Sequence, residues 1–349
     1  MNNVNNKDAT SIFSVHQCVL ICILFFALIG NGSLILMLIR EKQKQRKLID
    51  TLTVHLAVMD LILVVSSIPE MLITEAFSTF KFGWFGCKTI HPTSTLAATS
   101  NVLTLLVIGY ERYRASETQT FVIRRHNNRT IFIVMIDLLS CIVVLPYVLT
   151  LTYIDDGGTS PVTCIESWGM SSRKTYTLFL FLVQYGIPAL LMIGFYYISW
   201  KNIRYSTFQL ISHSITGRFF VMRLDKGLGY LKTMSQRYRK EDIRKEPQGK
   251  ALLKRYLQCK KMTKKFTIIL LVFLIFSLPN QMLWLYIDFF TEGDVLFDEN
   301  IINISYMLTF ANCVLNPLIY GRRRRKYDKT MIKGKRKYDK TRRGAVKWI

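Results

Sequence analysis

Acid is scarce in this chain. Its 349 residues hold 23 Asp and Glu against 47 Lys and Arg, a formal net charge of +24. Histidine is scarcer still: the five, at positions 16, 55, 91, 126 and 213, are too scattered for the cluster at one depth that a membrane-embedded enzyme would want. No cysteine follows Cys313, which excludes palmitate anchoring of the C-terminal stretch. The first residues offer no N-x-S/T sequon; those at Asn31 and Asn303 fall in apolar runs and that at Asn128 in a basic one. They also lack the charged start and small-residue cleavage site of a secretory signal, so the first apolar run is expected to stay as a signal-anchor helix. No matching halves with paired broken apolar segments are visible, which counts against an ion- or proton-coupled transporter.

Apolar residues, by contrast, make up 50% of the chain, and mean hydropathy is +0.22. A positive value beside 20% charged residues means that the two kinds are segregated into blocks, and it excludes wholesale disorder. A bilayer core about 30 Å thick needs roughly 20 mostly apolar residues per helix. Seven blocks qualify: 17–39, 52–73, 89–110, 131–153, 175–200, 266–290 and 301–320. The expected fold is therefore an all-α membrane protein, a seven-transmembrane helix bundle over 17–320, with an N-terminus of residues 1–16 and a basic tail of 321–349.

Orientation follows from the basic residues, because cytoplasmic loops retain them. Of the 47, 42 lie in 40–47, 111–129, 201–265 and 321–349, which marks that side as cytoplasmic. The opposite side carries Lys7, Lys81, Lys88, Arg173 and Lys174 against 11 acids, a balance of −6. The charge thus encodes topology in a multi-pass plasma-membrane protein with its N-terminus outside, and nucleic acid is not among the expected partners.

Only Cys87 and Cys164 fall at outer loops, where one disulfide is the natural reading and two free thiols the other. Pro69, Pro92, Pro146, Pro188, Pro279 and Pro317 lie inside the blocks, where each removes a backbone donor; the kinks are architectural or act as levers. Asp60 stands half-way through the second block, where an unpaired carboxylate is costly. Asn101, Asn312 and Asn316 could complete an oxygen shell around a small cation with it, or a protonated Asp60 could sit in a hydrogen-bond network. Asp137 is a second intramembrane acid, for which the sequence offers no partner.

In order along the chain, these motifs resemble the rhodopsin-like (class A) G-protein-coupled receptors, over roughly 15–326. Asn31 in GNGSLIL matches the first-helix asparagine, and Asp60, closing LAVMD, the second-helix acid. Glu111-Arg112-Tyr113 stands in place of D/E-R-Y, and Cys87 lies 25 residues before Arg112. Pro188 and Tyr196 fit the fifth helix, Phe273 and Pro279 the sixth, and Asn316-Pro317-Leu318-Ile319-Tyr320 is an N-P-x-x-Y. The resemblance implies a receptor passing the binding of an extracellular ligand to a heterotrimeric G protein. It gives coupling roles to Glu111, Arg112, Tyr113, Tyr196, Phe273, Pro279, Asn316, Pro317 and Tyr320. It implies no cofactor beyond a modulatory sodium ion at Asp60, Asn101, Asn312 and Asn316, and it joins Cys87 to Cys164. Departures are Ile136 and Ser277 in place of tryptophans, Phe80 in the first outer loop, Gln119 for a proline and Cys259 for an acid.

Phe310 stands where opsins carry the retinal lysine and Ser94 where amine receptors carry aspartate, so the resemblance points toward peptide receptors. In the sixth block Ser277, Gln281, Trp284 and Asp288 recur at spacings of four, three and four and share one face. With Glu70, Ser94, Gln184 and Tyr306 they are the expected ligand contacts, suited to a basic neuropeptide whose cation meets Trp284, Asp288 and Glu70. Alternatively, Asp288 only solvates a helix end and Trp284 lies at the membrane interface; the ligand would then be a lipid or other neutral molecule. On the other side, KALLKRYLQCKKMTKKF reads as an extension of the sixth helix with Leu252, Leu253, Tyr256 and Leu257 among lysines, meeting anionic lipid or a partner protein. RKYDKT occurs at 325–330 and 336–341 in a tail that is lipid-binding or disordered.

Overall fold

The computed structural model of the chain describes residues 15–40, 48–117, 129–157, 161–216, 247–291 and 299–321. The N-terminal stretch, Gln119 and Asn128, the middle of the basic inner loop, the acids at 292, 294 and 298, and the basic tail with its RKYDKT pair lie outside the described residues. Eight α-helices run in order: α1 Val15–Ile39, α2 Leu48–Phe77, α3 Gly83–Glu117, α4 Arg129–Thr150, α5 Met170–Phe181, α6 Ile187–Thr216, α7 Pro247–Phe290 and α8 Glu299–Gly321. Between α4 and α5 lie β1 Leu151–Ile154 and β2 Thr163–Glu166, and a π-turn, Leu182–Gly186, joins α5 to α6. Seven spans are long and apolar enough to cross a membrane, α5 and α6 together making the fifth. Hydrocarbon cannot satisfy backbone groups, so each block closes its own hydrogen bonds as a helix. Outward apolar side chains such as Phe25, Ile142 and Leu190 are more than half exposed, as lipid-facing residues are.

The fourth block ends earlier than expected. Thr150 closes α4 by donating from its hydroxyl to the Pro146 carbonyl at 3.1 Å, and residues 151–154, of which 151–153 are counted above with the span, pair antiparallel with 163–166. The Ser167 N–H donates to the Thr150 carbonyl at 2.9 Å and closes this hairpin. Hydropathy alone cannot separate Leu151–Ile154 from the preceding helix, because both are apolar. The hairpin is pinned over the start of α3 by the Cys87–Cys164 disulfide, and the Phe80 N–H donates to the Val162 carbonyl at 2.8 Å.

The prolines have local consequences. Pro188 offers no N–H to the Gln184 carbonyl and its ring crowds that oxygen, and the chain widens to a π-turn just before it. Pro317 likewise frees the carbonyl of Cys313, which accepts instead from Asn31 Nδ2 at 2.9 Å. This needs α1 and α8 in close approach: a β-carbon on Gly30 would lie 2.8 Å from Pro317 Cγ. Two apolar layers fill the bundle. One, around Leu52, Ile108, Met192 and Phe273, lies toward the Arg112 end; the other, around Val64, Ile68, Ala97 and Phe310, toward the hairpin end. The sixth-span helix starts at Pro247, so at about 1.5 Å per residue it projects well beyond a bilayer core on the Arg112 end.

Candidate functional site

A polar spine runs through the bundle. Asp60 is 2% exposed, and its two oxygens accept from Asn101 Nδ2 and Asn316 Nδ2, each at 3.0 Å. These contacts join α2, α3 and α8. Asn312 lies elsewhere: its Nδ2 donates to Ser277 Oγ at 3.2 Å and links α8 to α7 beside the Pro279 kink. The donor set fits a sodium ion, since Asn101 Oδ1 is a buried acceptor without a hydrogen-bond partner on the amide that already touches Asp60.

Toward the other end, Arg112 is buried and its guanidinium lies over the Phe266 ring at 5.8 Å. Tyr196 is buried nearby, and Phe273 belongs to the same apolar cluster. The Tyr320 hydroxyl is buried with no hydrogen-bond partner among the described residues. Cys259 meets the Ala115 carbonyl at 3.9 Å, so the sixth span touches α3 through a thiol. Lys265 Nζ donates to the Ile319 carbonyl at 3.0 Å and holds the sixth span to the seventh. Glu111 and Tyr113 flank Arg112 at half-buried positions.

Asp137 does have partners. Its Oδ1 lies 3.0 Å from His55 Nε2 and accepts from Ser100 Oγ at 3.0 Å. His55 Nδ1 stands 2.9 Å from Thr104 Oγ1, and Thr104 gives its own proton to the Ser100 carbonyl. The imidazole nitrogen facing Thr104 must therefore donate, leaving Nε2 and Asp137 to share the remaining proton. Ser100 also reaches Ser140 at 2.9 Å. This clasp ties α2, α3 and α4 together beside Ile136, where the resemblance expects a tryptophan.

At the hairpin end, acids and aromatics from several elements lie close together. Glu70 lies 3.8 Å from His91 Nε2, and His91 stacks on Phe80 with ring centroids 5.7 Å apart. Trp168 stacks on Tyr176 at 4.9 Å, and Tyr306 stacks on Phe310. Burial among neighbouring atoms raises the Glu166 carboxyl above its ordinary pKa, an effect opposed by Arg173, yet its side chain remains open to solvent. Three expected ligand contacts are engaged internally. Asp288 faces Arg173 Nε at 2.8 Å and accepts from Thr177 Oγ1; Gln184 Nε2 donates to Thr99 at 2.9 Å; and Ser94 donates to the His91 carbonyl. Along α7, Ser277 and Asp288 are buried and Gln281 and Trp284 half-buried, while Met282 and Tyr286 are exposed, so the four-residue face does turn inward. His55, His91, Glu166 and Arg173 were not singled out as site residues. Position relative to the disulfide was the available signal for two of them: His91 is one turn past Cys87, and Glu166 two residues past Cys164.

A seven-span bundle with a disulfide-tethered hairpin at one end and a buried arginine at the other defines the class. Residues 30–320 match the family 7 transmembrane receptor (rhodopsin family), and the chain belongs to that family. The chain is similar to a galanin receptor 2a of Danio rerio, 22% identical over 335 residues that cover 91% of this chain and 79% of the relative. It is 26% identical over 178 residues to a gastrin/cholecystokinin type B receptor of Canis lupus familiaris, covering 50% of this chain and 39% of the relative. A D(5)-like dopamine receptor of Takifugu rubripes is 24% identical over 317 residues, 89% of this chain and 65% of the relative.

Proposed function

We propose that this receptor binds an extracellular ligand carrying a cation, with a basic neuropeptide the best-fitting class, and passes the binding to a heterotrimeric G protein. The observation that carries the ligand class is the group of acids at the hairpin end: Asp288 is paired with Arg173, while Glu70 faces His91 and Glu166 is open to solvent. Two of the relatives above are named for gastrin/cholecystokinin and for galanin and one for dopamine; Ser94, in place of an aspartate, speaks against the amine. The hairpin end is the outer one, because the basic residues crowd the other, and the chain is a multi-pass plasma-membrane protein with its N-terminus outside. It makes and breaks no bonds. Ligand shifts an equilibrium between two bundle states by its differential affinity for them. Arg112 leaves Phe266 for the G protein in the active state, with Tyr196 and Tyr320 closing beside it. Sodium at Asp60, Asn101 and Asn316 favours the resting state, and the basic inner loop and tail rest on anionic lipid.

A receptor for a lipid or other neutral molecule is the second reading, favoured by one observation: Asp288 already has its countercharge in Arg173. Cells expressing the receptor, challenged with matched basic, neutral and acidic peptides and with lipids, separate the two through G-protein activation. Activation by basic peptides supports the first, and activation by neutral ligands alone refutes it.

A further inference from the structure

Asp288, Glu70 and Glu166 are not equivalent. Asp288 is 2% exposed and held between Arg173 and Thr177; Arg173 and Thr177 stand four residues apart on one face of α5, so Asp288 fastens the outer end of the sixth span to the fifth. Glu70 and Glu166 make no salt bridge to a lysine or arginine among the described residues, although Arg173 lies within electrostatic reach of Glu166. Thr74 donates to Glu70 at 3.3 Å from within α2, and the charge-bearing neighbour of Glu70 is His91. Tyr147 from α4 and Tyr306 from α8 each lie within electrostatic reach of both carboxylates. The Trp168 indole lies beside Glu166, its N–H within reach of that carboxylate. Two carboxylates with tyrosines and an indole about them suit a planar or compact organic cation.

We propose that Glu70 and Glu166, with His91 between them, form the seat for the ligand's cationic group, and that proton uptake by His91 competes with that group. The inference rests on the receptor reading above and sharpens it: the seat is in the second span and the hairpin, and Asp288 is an internal fastening. Every element around His91 enters the balance. Glu70 faces it from α2, Phe80 stacks on it from the turn before α3 and Glu166 lies within electrostatic reach from the hairpin; around those two carboxylates stand Thr74, Tyr147, Trp168, Arg173, Tyr176, Asp288 and Tyr306. Lys88, one turn earlier in α3, is turned away to the Val148 and Leu151 carbonyls, and His16 pairs with Glu75 farther out on α2. With His91 neutral the two seat carboxylates are free to take a cation; a protonated His91 neutralises Glu70. Crowding that favours the protonated form of Glu166 acts in the same direction. A bound cation favours both deprotonated forms, so affinity falls as pH falls.

The test uses the full-length receptor in detergent or nanodiscs, with benzamidine as the cationic probe, benzamide as its neutral counterpart, and thermal unfolding as the readout. Benzamidine is expected to raise the melting temperature at pH 7.5 and to do so less at pH 5.5, and benzamide to leave it unchanged. Half-saturation should weaken by roughly tenfold or more in E70Q and in E166Q. H91Q should retain more of the shift at pH 5.5 than the unmodified receptor does. Glu166 is at the solvent-open mouth, so E166Q carries the test even where E70Q fails to fold. The proposal is overturned if benzamidine gives no shift, if benzamide matches it, if E166Q leaves it intact, or if D288N alone removes it. An unchanged pH response in H91Q overturns the role of the histidine. Nucleotide exchange on a G protein by the same preparation reads the receptor function separately: its absence, with benzamidine bound as expected, condemns the receptor reading and leaves the seat standing.

Discussion

Replacing Asp137 by alanine should lower the melting temperature of the purified protein by about 4–12 °C, by the following reckoning. The substitution removes the contacts to His55 and Ser100, both at 3.0 Å. Hydrogen bonds between membrane helices are worth about 0.6 kcal/mol on average and at most about 1.7, so the two contribute roughly 1–3 kcal/mol. His55, whose side chain is 6% exposed, is left with an unanswered ring nitrogen, a further penalty of about 1–3 kcal/mol. The Asp137 side chain is 36% exposed, toward hydrocarbon rather than water, so solvent does not take over the lost contacts. The sum is about 2–6 kcal/mol, and for a chain of this size each kcal/mol moves the midpoint by about 2 °C. Leucine at both positions separates the clasp from mere size, because replacing both members of a buried pair by apolar groups is often neutral. Thermal unfolding of the His55→Ala, Asp137→Ala and double variants gives the coupling energy directly. If the two losses simply add, the pair does not act as a unit and the account is wrong.

Arg112→Ala should leave ligand affinity within about threefold and abolish G-protein activation, since the buried guanidinium contacts Phe266 and not the pocket; lost binding in a folded variant would refute the assignment. Sodium should weaken agonist affinity, because an ion that prefers the resting state opposes the active one by linkage, and Asp60→Asn should remove the effect. No sodium response in the unmodified receptor would favour a protonated Asp60. Protease applied to intact cells should leave residues 201–265 and the tail uncut, and cleavage there would reverse the orientation.

The spans could be read directly because the signal for each is local: some twenty apolar residues force a helix whatever surrounds them. The boundary at Thr150 was not readable, since Leu151–Ile154 is as apolar as the helix before it and becomes a strand only by pairing with residues beyond the loop. Asn101 and Asn316 were found as partners of Asp60 because intramembrane amides are few. His55 was missed as the partner of Asp137, 82 positions away, because the pairing depends on how α2 and α4 are rotated about their axes. Arg173 was counted only as a loop charge, and the helix that carries it toward Asp288 begins a few residues earlier, at Met170.

The fifth span is rotated within itself. The π-turn at Leu182–Gly186 adds one residue to a helical turn, and one residue of an α-helix is about 100° of azimuth. The outer half of the span is therefore turned by about a quarter of a revolution relative to the inner half that bears Tyr196. Arg173 and Thr177 reach Asp288 across this offset, while Gln184, inside the wide turn, reaches Thr99. The turn acts as a fixed rotary coupling between the two halves. Deleting a single residue from it would swing Arg173 and Thr177 away from Asp288 and leave the inner half in register, so one peptide unit sets which face the fifth span shows to the pocket.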